Sequence, residues 1–280
     1  RRVRRENHEM AKTVERTPPR QSVVTGASSG LGLAFAEHLA QAGSDLVLVA
    51  RDQSRLEACA GDLAATHGVK VRTIPADLSN SVAAGRVFSQ LRDWDVTADV
   101  LVNNAGFNVY GRFEETRLER EIEMIRLHTI AVAQLTKGFL LDRKRTHRNR
   151  IVNVSSVAAL VPGPFVSVHF ATRAHLLSFS LALAEEYRGT DVDVTCLCPG
   201  PMRTDFFRRA GMSDVRLASG WPMQTMSPSE VAKDGFDAMM KGKRMTIPGW
   251  RNKLFSFAAE MAPRPLRSRF TKWIMDRVEA

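Results

Sequence analysis

Gly26, Gly30 and Gly32 carry the first legible chemistry of this chain. They stand in Thr25-Gly26-Ala27-Ser28-Ser29-Gly30-Leu31-Gly32, a G-x-x-x-G-x-G spacing. The segment follows the apolar run Ser22-Val23-Val24 and opens a helical stretch. A strand, a glycine turn and a helix N-terminus make a phosphate cradle. Backbone N–H groups and the positive end of the helix dipole face an anion there, and glycines let the backbone approach it. Gly26, Ser28, Ser29, Gly30, Leu31 and Gly32 are therefore the candidate pyrophosphate seat. A second apolar run, Leu46-Val47-Leu48-Val49-Ala50, reads as a buried parallel strand and ends in Arg51. Arg51 falls about 20 residues after the turn, where an adenosine ribose would sit. A carboxylate at that place accepts from the 2′-hydroxyl of NAD, whereas an arginine suits the 2′-phosphate of NADP. NADP(H) is the expected cofactor. Asp52 beside it argues the other way, and a solvated arginine at a strand end is the plain alternative.

Three more landmarks follow in order. Asp77-Leu78 comes after a strand at 69–74, and Val102-Asn103-Asn104-Ala105-Gly106 ends a strand at 99–102. Cys198-Pro199-Gly200-Pro201-Met202-Arg203-Thr204 follows a strand at 191–197. Taken together, over roughly residues 20 to 250, these motifs resemble the short-chain dehydrogenase/reductase family. Gly242-Lys243-Arg244 and Ile247-Pro248-Gly249-Trp250 resemble a bacterial-type branch of it. The resemblance implies a single α/β domain of Rossmann type, a doubly wound parallel sheet with helices on both faces. It implies that the Gly26 turn holds the pyrophosphate, that Asp77 and Leu78 flank the adenine, and that Asn104, Ala105 and Gly106 lie against the cofactor. Pro199, Gly200, Met202 and Thr204 would meet the nicotinamide. The implied chemistry is hydride transfer between nicotinamide and a carbonyl or alcohol. In the family a tyrosine moves the proton, and a lysine four residues later binds the ribose and lowers the tyrosine pKa. A serine 13 residues before the tyrosine positions the substrate oxygen, and an asparagine on an earlier helix completes a water relay.

The chain keeps the serine and departs from the other three. Ile151-Val152-Asn153-Val154-Ser155-Ser156 supplies Ser156, but the tyrosine position is His169, the lysine position is Arg173 and the asparagine position is His128. A general acid must come within about 2.6–3.2 Å of the atom it protonates. An imidazole is shorter than a phenol by roughly 3 Å at its polar tip, so His169 needs a bridging water. Its ordinary pKa near 6.5 otherwise suits proton donation. Arg173 keeps its charge and can still hold ribose hydroxyls, although its planar fork does not replace a compact ammonium. Two outcomes follow. One is an NADP-dependent reductase or dehydrogenase with an impaired or altered relay, for instance His128, water, His169, substrate. The other is a cofactor-binding protein without turnover, acting as a sensor or assembly partner. No metal motif is present, since two histidines from separate elements do not define one.

Helical patterns at 31–42, 53–66, 81–93, 118–141, 166–188 and 228–241 alternate with the strands, as a parallel sheet covered on both faces requires. The 280 residues suffice for one large core. The net charge of +10 is uneven. Residues 1–20 carry seven basic and three acidic side chains, residues 241–280 ten and three, and the rest 23 and 24. The expected division is a basic arm at 1–20, a dinucleotide-binding domain at 21–250 and a basic amphipathic tail at 251–280. No nucleic-acid-binding motif accompanies the charge. Three cysteines, an odd number, with Cys196 and Cys198 on one strand, fit neither a disulfide framework nor a zinc site; a cytoplasmic setting fits. The arm has no apolar core of a secretory signal, and no run is long enough to span a bilayer. The chain starts at Arg1, and Met10 lies where a lead-in to the first strand would begin, so residues 1–9 are either extra or part of a longer parent.

In the tail, Leu266, Phe270, Trp273 and Ile274 recur on one helical face with Arg267, Arg269, Lys272 and Asp276 elsewhere. Aromatics opposite cations are the pattern of a helix lying on a membrane surface. The competing and preferred reading is a helix packed over the substrate mouth or against a second subunit of a homo-oligomer. Leu160, Val161, Phe165, Trp221, Met223 and Met226 are candidates for an adaptable apolar substrate wall, which suits a small hydrophobic carbonyl compound or a lipid-like molecule.

Overall fold

Aliphatic runs with no polar alternation make strands that must be covered on both faces. The computed structural model, which describes residues 18–278, has seven strands, and the central five are buried along nearly their whole length. The basic arm expected at 1–20 therefore lies outside the described residues except for 18–20. β1 (Gln21–Thr25), β2 (Asp45–Ala50), β3 (Val71–Pro75), β4 (Val100–Asn103), β5 (Asn149–Val154), β6 (Val192–Leu197) and the two-residue β7 (Met245–Thr246) form one parallel sheet in the order 3-2-1-4-5-6-7. This is the doubly wound arrangement that the sequence implied. In β2, Leu46, Leu48 and Ala50 enter one core while Val47 and Val49 enter the other, and all five are buried. Burial of each large aliphatic stabilises by roughly 1.5–3 kcal/mol.

The helices between strands are α1 (Gly30–Gln41), α2 (Gln53–His67), α3 (Ala83–Asp93), α4 (Leu118–Ile125), α5 (Val132–Asp142) and α6 (Ser167–Glu186). After β6 come a short α7 (Phe206–Arg209), α8 (Pro228–Met240), α9 (Trp250–Met261) and α10 (Arg264–Met275). Local chemistry sets several ends. Asp52 caps α2, accepting from the N–H of Arg55, and Gly68 closes it in the left-handed conformation. Ser227 and Glu230 form a capping box at α8, with Pro228 in the first turn. The pattern expected as one helix over 118–141 is instead interrupted by a π-helical segment, Arg126–Ala131, which carries His128. Such a widened turn turns one side chain off the regular helical row and commonly marks a functional position.

The order of strands reverses between β1 and β4, so a crevice opens beyond their carboxyl ends. Its floor is fixed by close backbone contact. A Cβ on Gly32 would stand 2.3 Å from the carbonyl oxygen of Gly26 and 2.4 Å from Nδ2 of Asn104. α1 can lie against the turn only because residue 32 has no side chain. We predict that Gly32→Ala destabilises the fold by about 1–3 kcal/mol and abolishes nucleotide binding. Gly61→Ala, at an exposed α2 position with open space around it, should stabilise by about 0.5–1 kcal/mol. Urea unfolding of the two variants measures both effects, and equal behaviour would refute the packing argument.

Candidate active site

The turn after β1 is braced before it meets any ligand. The Gly26 N–H donates to the carbonyl of Val49, 2.8 Å away. The Asn104 amide donates to the carbonyl of Thr25 at 2.9 Å, and Thr25 Oγ1 accepts from the N–H groups of Asn104 and Ala105. The Asn104 side chain thus holds the cradle, an additional role to the cofactor contact expected of it. A cavity of about 1150 Å³ opens above the turn. Gly26, Ser28, Ser29, Gly30, Leu31, Arg51, Asp77, Leu78, Asn104, Ala105 and Gly106 line it, as do Pro199, Gly200, Met202 and Thr204. The cavity is larger than an ordinary small-molecule pocket, and its donor-rich glycine turn fits a dinucleotide. Gly32 does not line it. It faces the Gly26 carbonyl and the Asn104 amide, so its part is packing, a correction to the expected contact.

Arg51 sits at the end of β2 with Arg55 one helical turn away, and both reach the cavity. Arg55 escaped the sequence reading. Its spacing of four residues from Arg51, across a helix start, was the available signal. Asp52, which argued for a 2′-hydroxyl, accepts from the Arg55 N–H at 3.1 Å as the α2 cap. Its carboxylate already has a partner.

Ser156, His169 and Arg173 all line the cavity. β5 delivers Ser156, whose hydroxyl donates to the Pro199 carbonyl at 3.2 Å and accepts from the Ala158 N–H at 3.1 Å. α6 delivers His169 and Arg173 one turn apart, and Ser155 Oγ ties α6 to the sheet by donating to the Arg173 carbonyl at 2.8 Å. The Arg173 guanidinium turns inward. Nη1 donates to the Val154 carbonyl at 2.9 Å and Nη2 lies 3.0 Å from Nε2 of His128. A Cβ on Gly106 would meet that Nη2 at 2.6 Å and His128 Nε2 at 2.9 Å, so the β4 loop lies directly on the pair.

These contacts fix the state of His128. A guanidinium only donates, and the Phe107 N–H also points at Nε2, from 3.3 Å. Nε2 therefore accepts and carries no proton. Nδ1 lies 2.9 Å from Thr172 Oγ1, whose own proton goes to the His169 carbonyl at 2.8 Å. Nδ1 must then be the donor, and the ring is neutral. Burial, the Arg173 charge and His169 together hold its pKa well below the usual value. Burial and then Arg173 push His169 down as well, against a smaller upward pull from a hydrogen bond to the Phe107 backbone. Arg173 itself falls to about 10 through burial, with the nearby Cys196 opposing, so it remains a cation at neutral pH.

Two expectations change. His128 is buried behind Arg173 and does not reach the cavity, and both its nitrogens are engaged, so no relay through water starts from it. His169 does face the cavity, but its pKa does not suit proton donation near neutrality, since its neutral ring sits among the rings of His128, Phe170 and Phe206 with Nδ1 unpaired. Arg173 likewise bonds inward to Val154 and His128.

The apolar wall also differs from the expected set. Val161 and Met223 line the cavity, whereas Met226 is buried under α1 and α8, Phe165 packs on Tyr110, and Trp221 lies half-exposed against Trp273. Phe170, Met212, Leu217 and Phe255, with Ile274 and Met275 of α10, complete the wall instead. The tail pattern had put Ile274 with Leu266, Phe270 and Trp273. Ile274 is buried on the cavity side and the other three face outward. Asn252, buried and bonded to the N–H and carbonyl of Gln224 and to the carbonyl of Pro248, pins α9 to the loop that carries Met223.

Comparison with known proteins agrees with this geometry. A ketoacyl reductase, HetN, from Nostoc sp. is 31% identical over 75% of this chain and 71% of its own length. A 7beta-hydroxysteroid dehydrogenase from Clostridium sardiniense is 28% identical over 80% and 83%. Among solved structures, a short-chain dehydrogenase from Sphingobium yanoikuyae in complex with NADPH superposes with a TM-score of 0.77 at 31% identity, covering 89% of this chain and 95% of that one. The short chain dehydrogenase family profile matches residues 20–213. With most of its length matched, and with the cradle and parallel sheet in place, the chain belongs to the short-chain dehydrogenase family of oxidoreductases.

Proposed function

We propose that this chain binds NADP(H) in the Gly26 cradle and an apolar carbonyl or alcohol compound beside it, and that hydride-transfer turnover is slow because proton supply fails. When bound, the nicotinamide gives or takes the hydride. The remaining work falls to the chain. The N–H groups of the turn hold the pyrophosphate, Arg51 and Arg55 meet the 2′-phosphate, and the Ser156 hydroxyl turns from the Pro199 carbonyl to donate to the substrate oxygen. The single observation behind slow turnover is the inward pairing of Arg173 with His128. It leaves a neutral His169 as the titratable group nearest the reacting oxygen. General acid–base catalysis contributes about 10²–10⁴-fold, and that is the factor the site lacks.

The apolar ligand is supported by the methionine- and phenylalanine-rich wall and by relatives that act on ketoacyl and steroid compounds. NADP(H) is supported by the two arginines and by the NADPH complex of a relative. A second reading, cofactor binding without turnover as a sensor or assembly partner, draws on the same closed pairing of His128. Turnover separates the two.

Arg51→Ala should weaken NADPH binding by about 10- to 100-fold and leave NADH nearly unchanged, as loss of a charge-assisted hydrogen bond predicts. Fluorescence titration with both nucleotides decides this, and an equal loss for the two would remove the assignment. His169→Tyr with Arg173→Lys and His128→Asn should raise kcat on hydrophobic ketones by about 10²–10⁴-fold, with each change alone doing less. If the unaltered chain already reduces such ketones at roughly 1–10³ s⁻¹, the slow-turnover reading fails.

A further inference from the structure

α9 and α10 are apolar on two sides, and only one side meets the protein. In α9, Asn252, Phe255, Ser256 and Ala259 turn inward. Trp250, Leu254, Phe257 and Met261 recur at i, i+4, i+7 and i+11, which places them in one line on the opposite side. All four are open to solvent, between 61 and 71% exposed. In α10, Thr271, Ile274 and Met275 line the cavity, while Leu266, Phe270 and Trp273 are 39 to 56% exposed. Phe270 joins the two helices through Phe255 and also touches Trp273, which packs edge-on against the exposed Trp221. Isolated exposed apolar residues are ordinary; rows of large ones on two consecutive helices are the mark of a contact surface.

Charge indicates which contact. Residues 250–275 hold six basic side chains, Arg251, Lys253, Arg264, Arg267, Arg269 and Lys272, against the single acidic Glu260. Arg251 and Lys253 flank the α9 stripe, and Arg269 and Lys272 lie along one edge of that of α10. The large central part of the chain is nearly neutral, so this excess is local. Tryptophan and phenylalanine between lysine and arginine match the layered chemistry of an anionic lipid surface, where apolar side chains enter the acyl boundary and cations meet headgroups. A second copy of this chain would set the same cations against each other across a two-fold axis.

We propose that the outer faces of α9 and α10 dock on an anionic lipid bilayer. The inner faces of the same helices wall the substrate cavity, so docking puts that cavity about one helix diameter, roughly 10 Å, from the lipid. An apolar ligand then has a short path between membrane and site. The docking itself does not depend on how fast the site turns over. No described helix is long and apolar enough to cross the membrane, so the contact is peripheral.

Co-sedimentation of the full chain with liposomes tests this. Vesicles of phosphatidylcholine with 30% phosphatidylglycerol should retain the protein at low salt, pure phosphatidylcholine should retain about tenfold less, and 0.5 M salt should release it. Trp250→Ser with Phe257→Ser, on the solvent side of α9, should lower retention about tenfold without changing nucleotide affinity. Arg251→Glu with Lys253→Glu should do the same. Failure to bind anionic vesicles at low salt overturns the proposal. So does binding that survives both double variants, which would place the contact elsewhere on the chain. A dimer in sedimentation velocity that is lost in Trp250→Ser with Phe257→Ser, without vesicle binding, assigns the face to a second copy and also overturns it.

Discussion

A buried guanidinium sets the character of this site. Arg173 has no carboxylate partner among the described residues, only the Val154 carbonyl and the bare Nε2 of His128. A cation removed from water must be matched by oriented acceptors or be strongly disfavoured. The backbone at the end of β5 provides one, and the π-helical turn that presents His128 provides the other. Gly106 seats closely on both groups, and only the absence of a side chain there leaves them room. From that arrangement follow the proton-free Nε2 of His128 and the donor role of its Nδ1 toward Thr172, while burial first and the Arg173 charge second keep His169 neutral. His128, His169 and Arg173 therefore form one connected unit. Arg173 and His128 answer each other, and His169 inherits their electrostatics.

The cofactor side of the cavity was built by different physics and is unaffected. Its geometry comes from backbone packing, with Gly26 and Gly32 closing on Asn104, and from strand ends at the reversal between β1 and β4. In the proposed function these features hold phosphate through N–H groups and arginine side chains. None of them passes through residue 128, 169 or 173. The hydrophobic half of the cavity adds a third independent element, the inner faces of α9 and α10 held by Asn252.

The sheet and the cradle were legible because each rests on a local pattern: uninterrupted aliphatic runs, a glycine spacing and caps such as Asp52 and Ser227. That His169 and Arg173 share the cavity with Ser156 was legible through their spacing from it. Other features depend on contacts distant in sequence. No pattern along the chain says that Arg173 turns toward His128, and the depressed pKa of His169 arises first from burial and then from the Arg173 charge. Gly32 looked like a cofactor residue because motif membership does not separate packing from binding. α9 was hidden for another reason. Apolar side chains on both of its faces, Phe255 inside and Leu254 and Phe257 outside, blur the single stripe by which an amphipathic helix is recognised. In α10, the grouping of Ile274 with Trp273 failed because neighbouring positions on a helix wheel can fall on either side of a cavity wall.

The pairing of Arg173 with His128 requires both histidines to be neutral and His128 to carry its proton on Nδ1. Ring-nitrogen NMR of the protein labelled with 15N-histidine, followed from pH 8 to pH 5 and assigned with His128→Asn and His169→Tyr, measures this directly. Because burial and the Arg173 charge lower both folded-state pKa values, both rings should stay neutral through pH 6.5, where an unfolded histidine is half protonated. His128 should show the proton on Nδ1 and a bare Nε2. A titration of either ring centred near 6.5, or a protonated Nε2 on His128, would contradict the pairing with Arg173 on which the rest depends.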